Sequence, residues 1–203
     1  NQGLCIMFKS ELHKDLWPNN RITYSFDGGV QSFVRNLNKK RNPVHENVII
    51  IQGSTDPYSN KKNKDPKKES TPVKVEIALQ YNETFQENVL SFANCIVTPD
   101  GGTHLTGFRR ALTRVINTYG KKNGLLKDDL TDVSGEDVRE GLVAVISVKL
   151  QDPQFEGQTK GKLGNPEVRN QVEVVIAEAV QIYLEDHPKD SKRILDKCLT
   201  SQR

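Results

Sequence analysis

The chain has 203 residues, with 29 Lys and Arg against 26 Asp and Glu, a net charge of +3, 35% hydrophobic and 27% charged residues. That length fits one domain, or one domain with an appendage, and is enough to bury a core. No apolar run approaches the roughly 20 residues needed to cross a bilayer. No signal or transit peptide is visible, and the charge excess is too small to establish nucleic-acid binding by itself. Cys5, Cys95 and Cys198 lie far apart with no C-x-x-C pair, which argues against zinc; each sits among apolar residues and is expected to be a buried, reduced thiol.

Gly3–Phe8 and Arg21–Phe26 read as paired strands, with a turn at Trp17–Asn20. An apolar strand so close to Asn1 enters the core at once, and a longer polypeptide is expected upstream. Val30, Phe33, Val34 and Leu37 recur at helical spacing, and Val48–Ile51 reads as a buried strand. Residues 53–71 change character: Gly53–Pro57 breaks the chain, and the Lys-rich run from Asn60 to Glu69 has no periodicity. Such a segment is expected to be a disordered surface insertion, with a basic arm for DNA as the sharper reading.

Val73, Val75, Ile77 and Leu79 alternate with polar or small residues, which predicts a strand with one wet face. Asn88–Val97 reads as a second long strand, antiparallel to the first. Thr103 to about Lys121 is the best helix, with Leu105, Phe108, Leu112, Val115, Ile116 and Tyr119 as its apolar stripe. Arg109, Arg110 and Arg114 fall outside that stripe. Ser134 fits an N-cap, Leu142–Leu150 a long apolar strand, and Asp152-Pro153 its stop. A final pair of helices follows. Asn165 caps the first, with Pro166 at its opening position; His187-Pro188 ends it, and Ile194, Leu195, Cys198 and Leu199 carry the second. The order of elements predicts a mixed α+β domain with an antiparallel-rich sheet, helices on one side, and C-terminal helices over residues 166–203.

The loop Phe155–Gly164 is the first chemical candidate. Gly157, Gly161 and Gly164 allow close backbone approach, Lys160 is a point charge suited to phosphate, and Gln158 and Thr159 add donors. The spacing is not that of a P-loop, so from chemistry alone a flexible exposed turn competes with a phosphate site. The segment Asp100–His104 reads as a tight turn opening the helix, with Thr103 near the N-cap and no direct role assigned. His13, His45 and His187 show no partner pattern, and Arg139 and Glu140 are expected to pair locally.

Gln158-Thr159-Lys160 followed by Lys162-Leu163 resembles the Q-T-K motif in the transducer domain of the ATPase subunit of type IIA DNA topoisomerases. The resemblance extends in order and spacing through Phe85–Asn88, Asp100–His104, Gly107–Arg109, Asp137–Leu142 and Val143–Lys149, and covers nearly the whole chain outside the Lys-rich insertion. The gyrase type is the nearer match; topoisomerase IV shares the same motifs. Two readings of other classes are a stand-alone nucleic-acid-binding module of the same fold and an autonomous phosphotransferase.

The resemblance implies a two-layer α/β sandwich like domain 2 of ribosomal protein S5. It implies that Lys160 reaches the γ-phosphate of ATP held in a preceding ATPase domain, with Gln158 and Thr159 beside it. Lys162 is the poorer candidate. Arg109 would line the space where a DNA duplex passes, with Arg110 and Arg114 as further DNA-facing residues. Implied partners are the N-terminal ATPase domain of the same chain, the gyrase A protein, DNA and a second copy in a homodimer. No membrane partner is implied. Magnesium belongs to the longer protein and not to this segment, and the implied location is the bacterial cytoplasm or a plastid. The segment alone should neither hydrolyse ATP nor cut DNA. Without the preceding domain, the loop carrying Lys160 is expected to be mobile.

Overall fold

The computed structural model of the chain describes residues 3–12, 20–25, 27–55, 72–126 and 132–201. Among these, nine strands and five helices run in the order β1 (Cys5–Lys9), β2 (Arg21–Ser25), α1 (Val30–Asn38), β3 (Ile49–Thr55), β4 (Val73–Tyr81), β5 (Asn88–Ala93), β6 (Ile96–Val97), α2 (Thr103–Lys122), α3 (Gly135–Arg139), β7 (Leu142–Lys149), β8 (Phe155–Glu156), β9 (Lys162–Leu163), α4 (Pro166–Asp186) and α5 (Pro188–Ser201). The central sheet has five strands in the order β3-β4-β7-β5-β6.

That order corrects the expected pairing of the two long strands. β7 lies between β4 and β5, antiparallel to the first and parallel to the second. The Asn88–Val97 segment is a hairpin rather than one strand. Asn94 and Cys95 take φ values of 49° and 67° at its turn, and Phe92 pairs with Val97. A parallel β5–β7 pair needs a crossover, and α2 supplies it. β7 is buried through most of its length because it is the middle strand with elements on both faces.

One face of the sheet packs on α2 and α4, and α5 packs against α3 and α4. Ile77, Leu79, Ala144 and Ile146 meet Phe108, Leu112, Ile116, Val172 and Ile176 in one buried cluster. Each fully buried large aliphatic or aromatic side chain contributes about 1.5–3 kcal/mol. α2 and α4 cross closely at Gly107, where a Cβ would run into the backbone of Arg169. The opposite face is not bare. α1 lies across it, burying Val34 against Ala78, Val143 and Val145. Helices therefore flank the sheet instead of sharing one side, and the expected wet face of β4 is dry from Ile77 onward.

Several local expectations need correction. β3 continues through Gly53, Ser54 and Thr55, paired with Val75, Lys74 and Val73, so the chain does not break at Gly53. The remainder of the Lys-rich segment, residues 56–71, lies outside the described residues, as does most of the predicted turn before Asn20. β1 and β2 form their own two-stranded sheet with Ile6, Met7 and Phe8 about half exposed, so they do not enter the core. Cys5 rides on that exposed sheet and Cys95 on the β5–β6 turn; both are exposed, and only Cys198 is buried. Burial pushes the Cys198 thiol up to about 12.

Buried polar groups fix the register around α1 and β4, a feature with no visible signal in the sequence. Asn38 donates to Gln80 Oε1 at 2.9 Å and accepts from Asn82 at 2.8 Å. His45 Nε2 accepts the Tyr81 backbone N–H at 3.0 Å, which leaves Nδ1 to donate to the Asn47 carbonyl at 2.7 Å. This satisfaction is what makes their burial tolerable.

Candidate nucleotide-facing hairpin and arginine groove

The segment after β7 is a short β-hairpin. Phe155 pairs with Leu163 and Glu156 with Lys162, placing Gln158, Thr159 and Lys160 on the exposed tip. Gly157 and Lys160 both lie in the left-handed region, at φ 74° and 56°. A Lys in that region is uncommon and marks a tightly specified turn. The Lys160 N–H closes the turn on the Gly157 carbonyl at 3.4 Å.

The hairpin is tied to the body on its flank and at its base. The Asp100 N–H donates to the Gly161 carbonyl at 2.9 Å, and the Leu163 N–H to the Gly101 carbonyl at 3.1 Å. Leu163 itself is fully buried. Gly102, at φ 136°, bridges to Leu163 so closely that an added Cβ would lie 2.5 Å from the Leu163 nitrogen. At the base, Asn165 Oδ1 accepts the Gln154 N–H at 2.7 Å, and its amide donates to the Asp152 carbonyl at 3.2 Å. Asn165 therefore does not cap α4 with its side chain, and Gly102 occupies the N-cap of α2 with Thr103, as expected, beside it.

The two lysines of the hairpin differ. Lys162 is engaged with Glu156 at 3.1 Å. Lys160 has no ion-pair partner among the described residues; its ammonium lies 5.9 Å from the centroid of the Phe155 ring. Its exposed tip, flanked by Gln158 and Thr159, fits a phosphate group, with no carboxylate to neutralise it first.

A second cationic site lies along α2. Arg109, Arg110, Arg114, Lys121 and Arg139 line a groove of about 580 Å³, together with Asp132 and Glu173. Arg109 reaches Glu87 through Nε at 3.0 Å and Nη2 at 2.7 Å, and Arg139 Nε meets the other oxygen of Glu87 at 3.2 Å. Glu173 lies 3.6 Å from Arg110 and 3.9 Å from Arg169, and Lys121 pairs with Asp132. Arg114 is exposed and has no ion pair among the described residues. Sequence spacing singles out the three α2 arginines but misses Glu87 and Glu173, and it pairs Arg139 with the wrong partner: Glu140 faces Lys197 at 4.0 Å. The one sequence signal for Glu87 is its place inside the Phe85–Asn88 match.

α3 supports this groove through Ser134, whose hydroxyl accepts the Asp137 N–H while the Asp137 carboxylate accepts the Ser134 N–H. Asn117 of α2 holds the approach to α3 by bonding both backbone groups of Val133. His104 is fully buried beneath the start of α2, with Nε2 at 3.2 Å from Thr98 Oγ1. Burial holds it down to about 4, so it stays neutral near pH 7, and no solvent reaches its side chain. Among the described residues, no cluster of three or more His, Cys, Asp or Glu could hold a metal ion.

A family model described as DNA gyrase B matches residues 29–203. The chain belongs to the DNA gyrase B family. The B subunit of DNA gyrase from Clostridium acetobutylicum is 49% identical over 100% of the chain, which spans 29% of that protein. The corresponding protein of Bacillus mycoides is 45% identical over 89% of the chain and 41% of its own length. The 43K ATPase domain of Thermus thermophilus gyrase B, solved with an aminocoumarin, superposes with a TM-score of 0.80 at 34% identity, over 98% of this chain and 48% of that one. A topoisomerase IV ATP-binding domain of Francisella tularensis, solved with a small-molecule inhibitor, gives 0.66 at 26% identity, over 98% of this chain and 48% of its own. The chain thus spans half or less of these gyrase B relatives and corresponds to their transducer region.

Proposed function

We propose that this segment serves an ATP-hydrolysing gyrase B protein as its energy-coupling domain, with Lys160 as the contact to the γ-phosphate of ATP held in the neighbouring ATPase domain. The observation that carries this reading is the exposed, unneutralised Lys160 on a turn fixed by backbone hydrogen bonds. The nucleotide, with magnesium, supplies the transferable phosphate; Lys160 brings a cation to it, and Gln158 and Thr159 supply further hydrogen-bond donors. A charge-assisted hydrogen bond of about 1.5–3 kcal/mol shifts a two-state equilibrium by one to two orders of magnitude. Lys160 therefore favours the docked state while the terminal phosphate is present and favours it less once that charge has left.

The α2 groove is the second half of the reading. Arg109, Arg110 and Arg114 would meet the phosphates of a DNA duplex without reading its sequence. In a homodimer paired with the gyrase A protein, docking of Lys160 and contact at the groove would change together, coupling ATP turnover to duplex passage and supercoiling. The higher identities to gyrase B favour negative supercoiling over the decatenation expected of a topoisomerase IV. The deciding experiment is Lys160→Ala in the full-length protein, read as ATP turnover, nucleotide binding and nucleotide-dependent closure. Turnover should fall severely while binding survives in part; turnover near the wild-type rate would remove Lys160 from the role.

A further inference from the structure

Asn165 stands at the junction between the hairpin and α4, yet its side chain serves the hairpin and does not cap the helix. It is 3% exposed and uses its hydrogen-bonding capacity locally: one bond from the Gln154 N–H, one to the Asp152 carbonyl and one to Glu167 Oε1 at 2.9 Å. Asp152 and Gln154 lie before β8, so a single amide joins the strand entering the hairpin to the helix leaving it. The Gln154 carbonyl adds a bond from the Gly164 N–H at 2.7 Å. On the flank, the Asp100–Gly102 turn holds Gly161 and Leu163 by backbone bonds, and it leads directly into α2. Gly102 tolerates no side chain there, because Leu163 occupies the space.

We propose that Asn165 and the Asp100–Gly102 turn are positioning residues for Lys160, fastening the hairpin to α4 and α2 so that its ammonium is presented at a fixed distance from the helix that carries the arginine groove. This rests on Lys160 being the nucleotide contact. The chemistry requires such a fixture: a misplacement of about 1 Å in a group acting on a transferring phosphate costs up to about a hundredfold in rate. A free loop would also lose the advantage of a preorganised cation.

The test uses the full-length protein together with the gyrase A protein. Asn165→Ala should lower kcat for ATP turnover by about tenfold to a hundredfold and leave KM within about twofold, because most of the nucleotide is held elsewhere. A rescue separates positioning from general destabilisation. A Cβ at Gly161 would stand 3.4 Å from Asp100 Cγ, within reach of a disulfide. In the Asn165→Ala background, the added pair Asp100→Cys and Gly161→Cys should restore most of kcat when oxidised and lose it again on reduction, with Asn165→Ala alone unaffected by the oxidant.

If Asn165→Ala does not fold, Asn165→Ser adds no charge and leaves one hydroxyl that can bond only part of what the amide bonds now; the same loss and rescue are expected at smaller size. Unchanged kcat in a folded Asn165 variant, or a loss that the oxidised disulfide does not restore, overturns the proposal. Lys160→Ala in the same assay keeps the two ideas apart: if it turns over normally, the nucleotide role of Lys160 fails. If it collapses while the Asn165 variants do not, only the positioning claim fails.

Discussion

The hairpin and the arginine groove are both cationic, but they hold their charges in opposite ways. Lys160 is placed by its backbone: a left-handed turn, flanking main-chain bonds and a buried Leu163 fix the chain while the ammonium has no ion pair among the described residues. In the groove, carboxylates do the placing. Glu87 holds Arg109 and Arg139, Glu173 lies beside Arg110, and Arg114 projects without an ion pair among the described residues. A backbone-held free cation suits one small, highly charged group whose presence must be sensed. A row of partly neutralised arginines suits a long polyanion that must bind and then leave.

That contrast makes graded predictions. The largest effect belongs to the free cation. Lys160→Ala should lower ATP turnover by about a hundredfold or more, the cost of removing one preorganised charge stabiliser, in steady-state assays of the full-length protein. Lys160→Arg should not restore it, because a planar fork on a tight turn does not reproduce a compact ammonium.

The junction between the two regions should respond to acid. His104 sits at the start of α2, between the Gly102–Leu163 bridge and the arginines, with a folded-state pKa of about 4 against 6.5 in the unfolded chain. Above pH 6.5 it is neutral in both states and contributes no pH dependence. Below that, the unfolded chain takes up a proton that the folded chain refuses. Stability therefore declines by up to about 1.4 kcal/mol per pH unit until pH 4. Burial lowers His45 too, so it acts in the same direction. Melting temperatures from pH 7.5 to 4.5 should fall, and His104→Gln should flatten the decline; an equally steep decline in the variant would assign it to other groups.

Smaller effects are expected in the groove, where no single cation carries the contact. Arg109→Ala should weaken duplex binding by up to about tenfold at moderate salt and make the salt dependence shallower by about one unit of slope. The loss should be the same for unrelated sequences. Glu87→Gln should have the smallest effect and the opposite sign. It releases Arg109 and Arg139 from their shared carboxylate, so binding should tighten by a few-fold and depend more steeply on salt. Anisotropy titrations across salt concentrations would check both; weaker binding in Glu87→Gln would show that the carboxylate orients the arginines instead of competing for them.

Much of this was legible in the chain. The α2 stripe, the Ser134 cap, the stop at Asp152-Pro153 and the placement of Arg109, Arg110 and Arg114 outside the stripe all follow from spacing within a few turns. The Q-T-K resemblance set Lys160 ahead of Lys162, while the Lys162–Glu156 pair across the hairpin carries no local signal of its own. The failures share a cause: they depend on groups distant in sequence. Glu87 is 22 residues from Arg109 and 52 from Arg139, and no local pattern announces such a pairing.

By itself, then, the sequence determined the helices and the Ser134 cap, because periodicity and capping are settled between near neighbours. Tertiary structure decided that β7 enters between β4 and β5, that α1 dries the second face of the sheet, and that Cys5 and Cys95 stay exposed. It also turned Asn165 from a helix cap into a hairpin clasp. Those outcomes depend on which surfaces must be buried against one another and which polar groups must then find partners.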